Sequence, residues 1–78
     1  MTVLYLYSTG GCHLCELAEE LVAPMLGDNF TLQIVEISDS DELMERYGIR
    51  IPVVKRGDTD AEIGWPFDQA AFQQFLAG

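Results

Sequence analysis

Basic residues are scarce in this chain: four Lys and Arg stand against 13 Asp and Glu among 78 residues, a formal net charge of −9. A field of that sign repels phosphate backbones, which argues against nucleic acid as a partner. No wholly apolar run exceeds a few residues, so no segment reads as a membrane span. The start, Met-Thr-Val-Leu-Tyr, has neither a basic n-region nor a small-residue cleavage site, and no secretory signal is expected. Cysteine is limited to Cys12 and Cys15, and histidine to His13. A small secreted domain stapled by disulfides would spread more cysteines along the chain, and a bridge this short hardly constrains the unfolded state. The expectation is a soluble, cytoplasmic monomer.

What is present suffices for one compact core, because 49% of the residues are hydrophobic. A chain of this length buries only roughly 60% of its extended-state surface, so the core is marginal. We expect a single domain over residues 1–78, with no repeat, linker or low-complexity tract. Residues 2–8, TVLYLYS, lack polar alternation and read as a central strand covered on both faces. Thr9-Gly10-Gly11 breaks that strand, and the period then turns helical from Cys12, with Leu14, Leu17, Ala18, Leu21, Val22 and Met25 on the apolar face. Pro24 ends this helix. Residues 30–37 form a second strand. Asp39 and Glu42 have capping-box spacing for a short helix ended by Gly48. Residues 52–56 and 61–63 form a hairpin about Gly57-Asp58, and Asp68 caps a last helix over 69–77, with Phe67 and Phe72 as a hydrophobic staple. The order is β-α-β-α-β-β-α, an α/β chain whose first half forms a βαβ unit and whose last two strands run antiparallel. That is the order of the thioredoxin-like fold, a four-stranded mixed sheet flanked by helices.

The chemistry lies in Cys12-His13-Leu14-Cys15, at the junction of a strand and a helix. Residues three apart on a helix share a face, so the two thiols can meet. The helix start offers free N–H groups and partial positive charge at Cys12, both of which favour thiolate. Cys12 would then attack a disulfide and Cys15 would resolve the mixed disulfide. Other readings of the pair are a zinc site, haem attachment and two inert core cysteines. Zinc requires four ligands where the chain offers two cysteines and one histidine. Haem attachment places histidine after the second cysteine, where Glu16 stands. Redox chemistry fits C-x-x-C in a βαβ setting best.

The chain resembles the glutaredoxin-like branch of the thioredoxin superfamily, and among its members a group of short bacterial proteins in which C-x-L-C opens an acidic helix. Three places carry the resemblance: Cys12-x-x-Cys15; Tyr47-Gly48-Ile49-Arg50-Ile51-Pro52-Val53, similar to the segment bearing the superfamily's cis-proline; and Ile63-Gly64-Trp65-Pro66-Phe67-Asp68, where glutaredoxins have a Gly-Gly-x-Asp-Asp-like turn. The resemblance implies a cis Ile51–Pro52 bond beside the dithiol, with the Ile51 backbone offered to a bound peptide or to glutathione. Trp65 and Pro66 interrupt the turn that binds the γ-glutamyl group, and Arg50-Ile51-Pro52 stands where Thr-Val-Pro is common. Glutathione is thus a candidate co-substrate whose binding should be weak and sensitive to salt, and no tightly bound cofactor or metal is expected.

His13 is either an exposed residue without a role or a cation that stabilises the Cys12 thiolate. Arg46, Arg50, Lys55 and Arg56 all lie close to Pro52 in sequence. They are either an ordinary solvated surface or a cationic patch, with Arg50 the best placed to meet a carboxylate. The expected function is reduction of protein disulfides or glutathionylated substrates. Its rivals are a non-catalytic binding or redox-sensing module and, more remotely, an iron–sulfur carrier.

Overall fold

The computed structural model describes residues Met1–Gly78. The chain forms four strands, β1 (Thr2–Ser8), β2 (Phe30–Glu36), β3 (Val53–Arg56) and β4 (Glu62–Gly64), and three helices, α1 (His13–Val22) after β1, α2 (Asp41–Tyr47) after β2 and α3 (Gln69–Ala77) after β4. The sheet order is β2-β1-β3-β4. β1 pairs parallel with β2 and antiparallel with β3, and β3 pairs antiparallel with β4. The element order and mixed sheet are those expected from the sequence. No helix is long and apolar enough to cross a membrane.

Strand periodicity divides β1 between two cores. Leu4 and Leu6 point to one face, where they join Val22, Leu26, Val54 and Phe72. Tyr7 points to the other, with Ile37, Tyr47 and Val53. The lack of polar alternation in β1 is thereby explained: α1 and α3 supply one cover and α2 the other. β2 lies at the sheet edge, which leaves Ile34 47% exposed.

Several local expectations need correction. α1 packs through Cys15, Ala18 and Val22, while Leu14 and Leu17 remain partly exposed. Ala18 and Val22 are buried as expected, and Cys15, three residues before Ala18 on the same face, turns inward with them, which leaves the first two leucines toward the side. Pro24 does end α1, through a 3-10 turn over Ala23–Met25. The cap of α2 is Ser40 rather than Asp39: the Ser40 hydroxyl accepts from the Leu43 N–H at 3.2 Å, and Asp39 is taken up in the 3-10 turn Ile37–Asp39. β3 begins at Val53, one residue after Pro52, and β4 is shifted one residue along. The loop between them spans residues 57–61 and includes Asp60 at φ 63°.

Asp68 caps α3 as expected, accepting from the Ala71 N–H at 2.8 Å, and the Phe67 and Phe72 rings stack at 5.4 Å. The other end of α3 is held by Arg56, which donates to the Phe75 and Leu76 carbonyls at 2.9 and 2.7 Å. Its guanidinium also makes a bidentate pair with Asp58 and lies over the Phe30 ring. One side chain thus ties β3, the hairpin loop, β2 and α3.

Replacing Phe72, which is fully buried, with alanine should cost about 3–5 kcal/mol in urea unfolding. Arg56→Met should lower the midpoint more than Asp58→Asn does, because only the former abandons the two helix carbonyls. Equal effects of the two would mean that the helix contacts add nothing.

Candidate functional site

The end of β1 sets the place of the cysteines. After Ser8 the chain turns through Thr9, Gly10 and Gly11, and Gly11 adopts φ 79°, a conformation suited to glycine. Cys12 follows as the N-cap of α1, with extended backbone angles. Its Sγ accepts the Cys15 backbone N–H at 3.2 Å, one of the otherwise free donors of the helix start. The two cysteines form a disulfide, with their Cα atoms 5.3 Å apart. Their surroundings differ: Cys15 is buried, with 3% exposure, while Cys12 is half-buried. An external reactant therefore meets Cys12 first.

Both cysteines line a cleft of about 230 Å³ between the β1 end, α1 and β2. Glu16 and Glu19 border it from α1, and Ile34 and Glu36 from β2. Glu36 was not singled out by sequence reasoning. It is the last residue of β2, opposite Ser8 in the parallel register, which carries it to the loop before Cys12. The Ser38 backbone N–H donates to its carboxylate at 3.2 Å and holds its carboxyl below the usual range, with lesser help from Thr9 and Gly10. A glutamate ending a strand and followed two residues later by serine was the only available signal.

The other candidate residues reach this end of the sheet through β3. Tyr7 pairs with Val53, and Val53 with Gly64, so Pro52 and Trp65 both follow at the end of the sheet where β1 leads into Cys12. The Ile51–Pro52 bond is cis, as the resemblance implied, and so is Trp65–Pro66, which the sequence did not suggest. Ile51 is half-buried, and the Trp65 N–H donates to the Pro52 carbonyl at 3.0 Å. The half-buried Trp65 ring meets Phe67 edge-on. His13 is exposed at the start of α1, its Nδ1 3.6 Å from a Glu16 oxygen.

Arg50 is engaged within the chain. It donates to Glu62 at 3.0 Å and lies over the Tyr47 ring, 5.3 Å from its centroid. Tyr47, almost fully buried and stacked on Tyr7 at 4.2 Å, donates its hydroxyl to the same glutamate. Burial, followed by that bond to Glu62, pushes Tyr47 up to about 12, while the Tyr47 and Arg50 bonds hold Glu62 down. The other basic side chains are also paired: Arg46 with Glu42, Lys55 with Asp60 and Arg56 with Asp58. The cluster of cations near Pro52 in sequence is thus a set of separate ion pairs.

Tyr47 should ionise at about 12, read from its ultraviolet absorbance in a spectrum corrected with Tyr47→Phe. Unfolded tyrosine ionises near 10, so the contribution of this group to stability is complete below that pH and is lost as pH rises from about 10 through 12. An alkaline denaturation curve identical in Tyr47→Phe would contradict this placement.

A family model described as Glutaredoxin-like domain (DUF836) matches residues 3–77. Among solved structures, the chain is similar to Northeast Structural Genomics target protein XcR50 from X. campestris, with 35% identity and a TM-score of 0.81 over 95% of each chain. It is also similar to a mutant thioredoxin from Halobacterium salinarum NRC-1, with 19% identity and a TM-score of 0.71, covering 96% of this chain and 71% of that one. The second likeness concerns the fold alone. No curated protein matches the chain. The four-stranded architecture is thioredoxin-like.

Proposed function

The chain belongs to the glutaredoxin-like domain family, and on that premise we propose that it is a thiol–disulfide oxidoreductase that reduces protein disulfides through Cys12 and Cys15. The observation that carries this reading is the asymmetry of the pair. Cys12 opens the helix with its sulfur receiving an N–H bond, while Cys15 lies behind it, buried and within bonding reach.

In the reduced protein the Cys15 N–H and the other free donors of the α1 start stabilise negative charge on Cys12. The Cys12 thiolate attacks one sulfur of the substrate disulfide. A bond forms between Cys12 and that sulfur, and the second substrate sulfur departs as a thiolate that takes up a proton. Cys15, on losing its proton, attacks Cys12 Sγ and releases the remaining substrate thiol. Two electrons pass from the protein dithiol to the substrate, and the protein is left with the Cys12–Cys15 disulfide. An external thiol or dithiol donor then restores the reduced form by the reverse exchange. The cytoplasm, where such donors hold thiols reduced, is the proposed compartment.

The Ile51–Pro52 segment lies at the same end of the sheet as Cys12, and that position, with the family resemblance, supports a role for the Ile51 backbone in receiving an extended substrate. Arg50 is available to a carboxylate only in competition with Glu62. Engagement of that arginine favours protein disulfides over glutathione as the main substrate.

Iodoacetamide should alkylate Cys12 of the reduced protein at least roughly tenfold faster than Cys15 at neutral pH, as read by peptide mass spectrometry. Faster reaction at Cys15 would reverse the assignment. Cys15→Ser should accumulate mixed disulfides with a peptide disulfide, whereas Cys12→Ser should accumulate none and turn over at background rate.

A further inference from the structure

We propose that Glu16, Glu19 and Glu36 form a charge filter at the Cys12–Cys15 site, favouring a polypeptide disulfide flanked by lysine or arginine over a neutral or anionic one. The inference rests on the oxidoreductase reading and specifies its substrate class. The reacting group is the cysteine pair; the carboxylates determine which disulfides approach it.

Three observations combine. All three glutamates border the cleft that both cysteines line. Glu36 is held in place and kept ionised by the Ser38 N–H, and its position follows from the β1–β2 register. Every Lys and Arg in the chain has a carboxylate partner elsewhere, Arg46 with Glu42, Arg50 with Glu62, Lys55 with Asp60 and Arg56 with Asp58. No Lys, Arg or His lines the cleft, and His13, the residue after Cys12, has its Nδ1 3.6 Å from a Glu16 oxygen. The approach to Cys12 is therefore anionic, and reduction adds the thiolate's own charge. Such a field speeds encounter with a cation and slows it with an anion. Glutathione, with two carboxylates and one ammonium, falls on the disfavoured side.

The test uses the reduced 78-residue chain and three synthetic peptides of equal length, each with one intramolecular disulfide flanked by lysine, serine or glutamate. The Cys12 thiolate opens the peptide disulfide, Cys15 closes on Cys12, and both peptide sulfurs leave as thiols, so two electrons pass per peptide. Second-order rates are read by acid quench and mass spectrometry at low and moderate salt. At low salt the lysine peptide should react about tenfold or more faster than the glutamate peptide, with the serine peptide between them. Moderate salt should compress that ratio severalfold. The combined variant Glu16→Gln, Glu19→Gln and Glu36→Gln should bring the ratio close to one, whereas Glu45→Gln on exposed α2 should leave it unchanged. Removing carboxylates also alters the thiolate fraction of Cys12, but that change moves all three rates together and leaves their ratio intact. Equal rates for the three wild-type peptides, or a ratio unaffected by salt, would overturn the filter even if the triple variant failed to fold. A ratio that survived in a folded triple variant would also overturn it. Failure of all three peptides to react would instead remove the oxidoreductase reading itself.

Discussion

The cysteine-bearing end of the molecule depends on β1 being paired along both edges in one register. Ser8 lies opposite Glu36 on one side, and Tyr7 lies opposite Val53 on the other. The first pairing brings the β2 terminus to the loop before Cys12. The second brings Pro52, and through β3 and β4 also Trp65, to the same end of the sheet. The register is itself set by burial. A slip of one residue would exchange Leu4 and Leu6 with Tyr5 and Tyr7 between the two cores, displacing both sets at once. Packing inside the sheet thus controls the geometry at its end.

The cysteine pair converts that geometry into chemical asymmetry. Ala18 and Val22 anchor α1 against the core, and the same helical face turns Cys15 inward. Cys12, at the cap, remains within reach of the cleft and receives the Cys15 N–H. Helix start, burial and short spacing therefore act together: one sulfur is half-exposed at the cleft and the other is buried within bonding reach of it, the asymmetry on which the proposed exchange rests. Around them the acidic composition becomes local. Each Lys and Arg is held in an ion pair with a carboxylate outside the cleft lining, and the glutamates at the cleft border stand without basic partners from Lys or Arg.

Much of this was legible in the sequence where the signal was local. The change from the strand run at 2–8 to a helical period after Gly10-Gly11 marked the site, and Asp68 with Phe67 and Phe72 marked the start of α3. The resemblance, rather than propensity, led to the cis Ile51–Pro52 bond. Features settled by tertiary geometry were not legible. The apolar face read for α1 was right at Ala18 and Val22, but burial of Cys15 on that face left Leu14 and Leu17 partly exposed. Ser40 displaced Asp39 as a cap because a 3-10 turn absorbed the aspartate. The Tyr47–Glu62–Arg50 cluster and the position of Glu36 join residues distant in sequence, and no local pattern announces such pairs.

The most direct measurement is equilibration of the full chain in dithiol–disulfide buffers of graded potential, with thiols trapped by acid and alkylation and counted by mass. A reversible two-electron couple should give a single transition in which Cys12 and Cys15 change together, with a tenfold change in ratio for every ~30 mV. Independent oxidation of the two cysteines, or a pair that stays in one state throughout, would contradict the account of this site as a working dithiol.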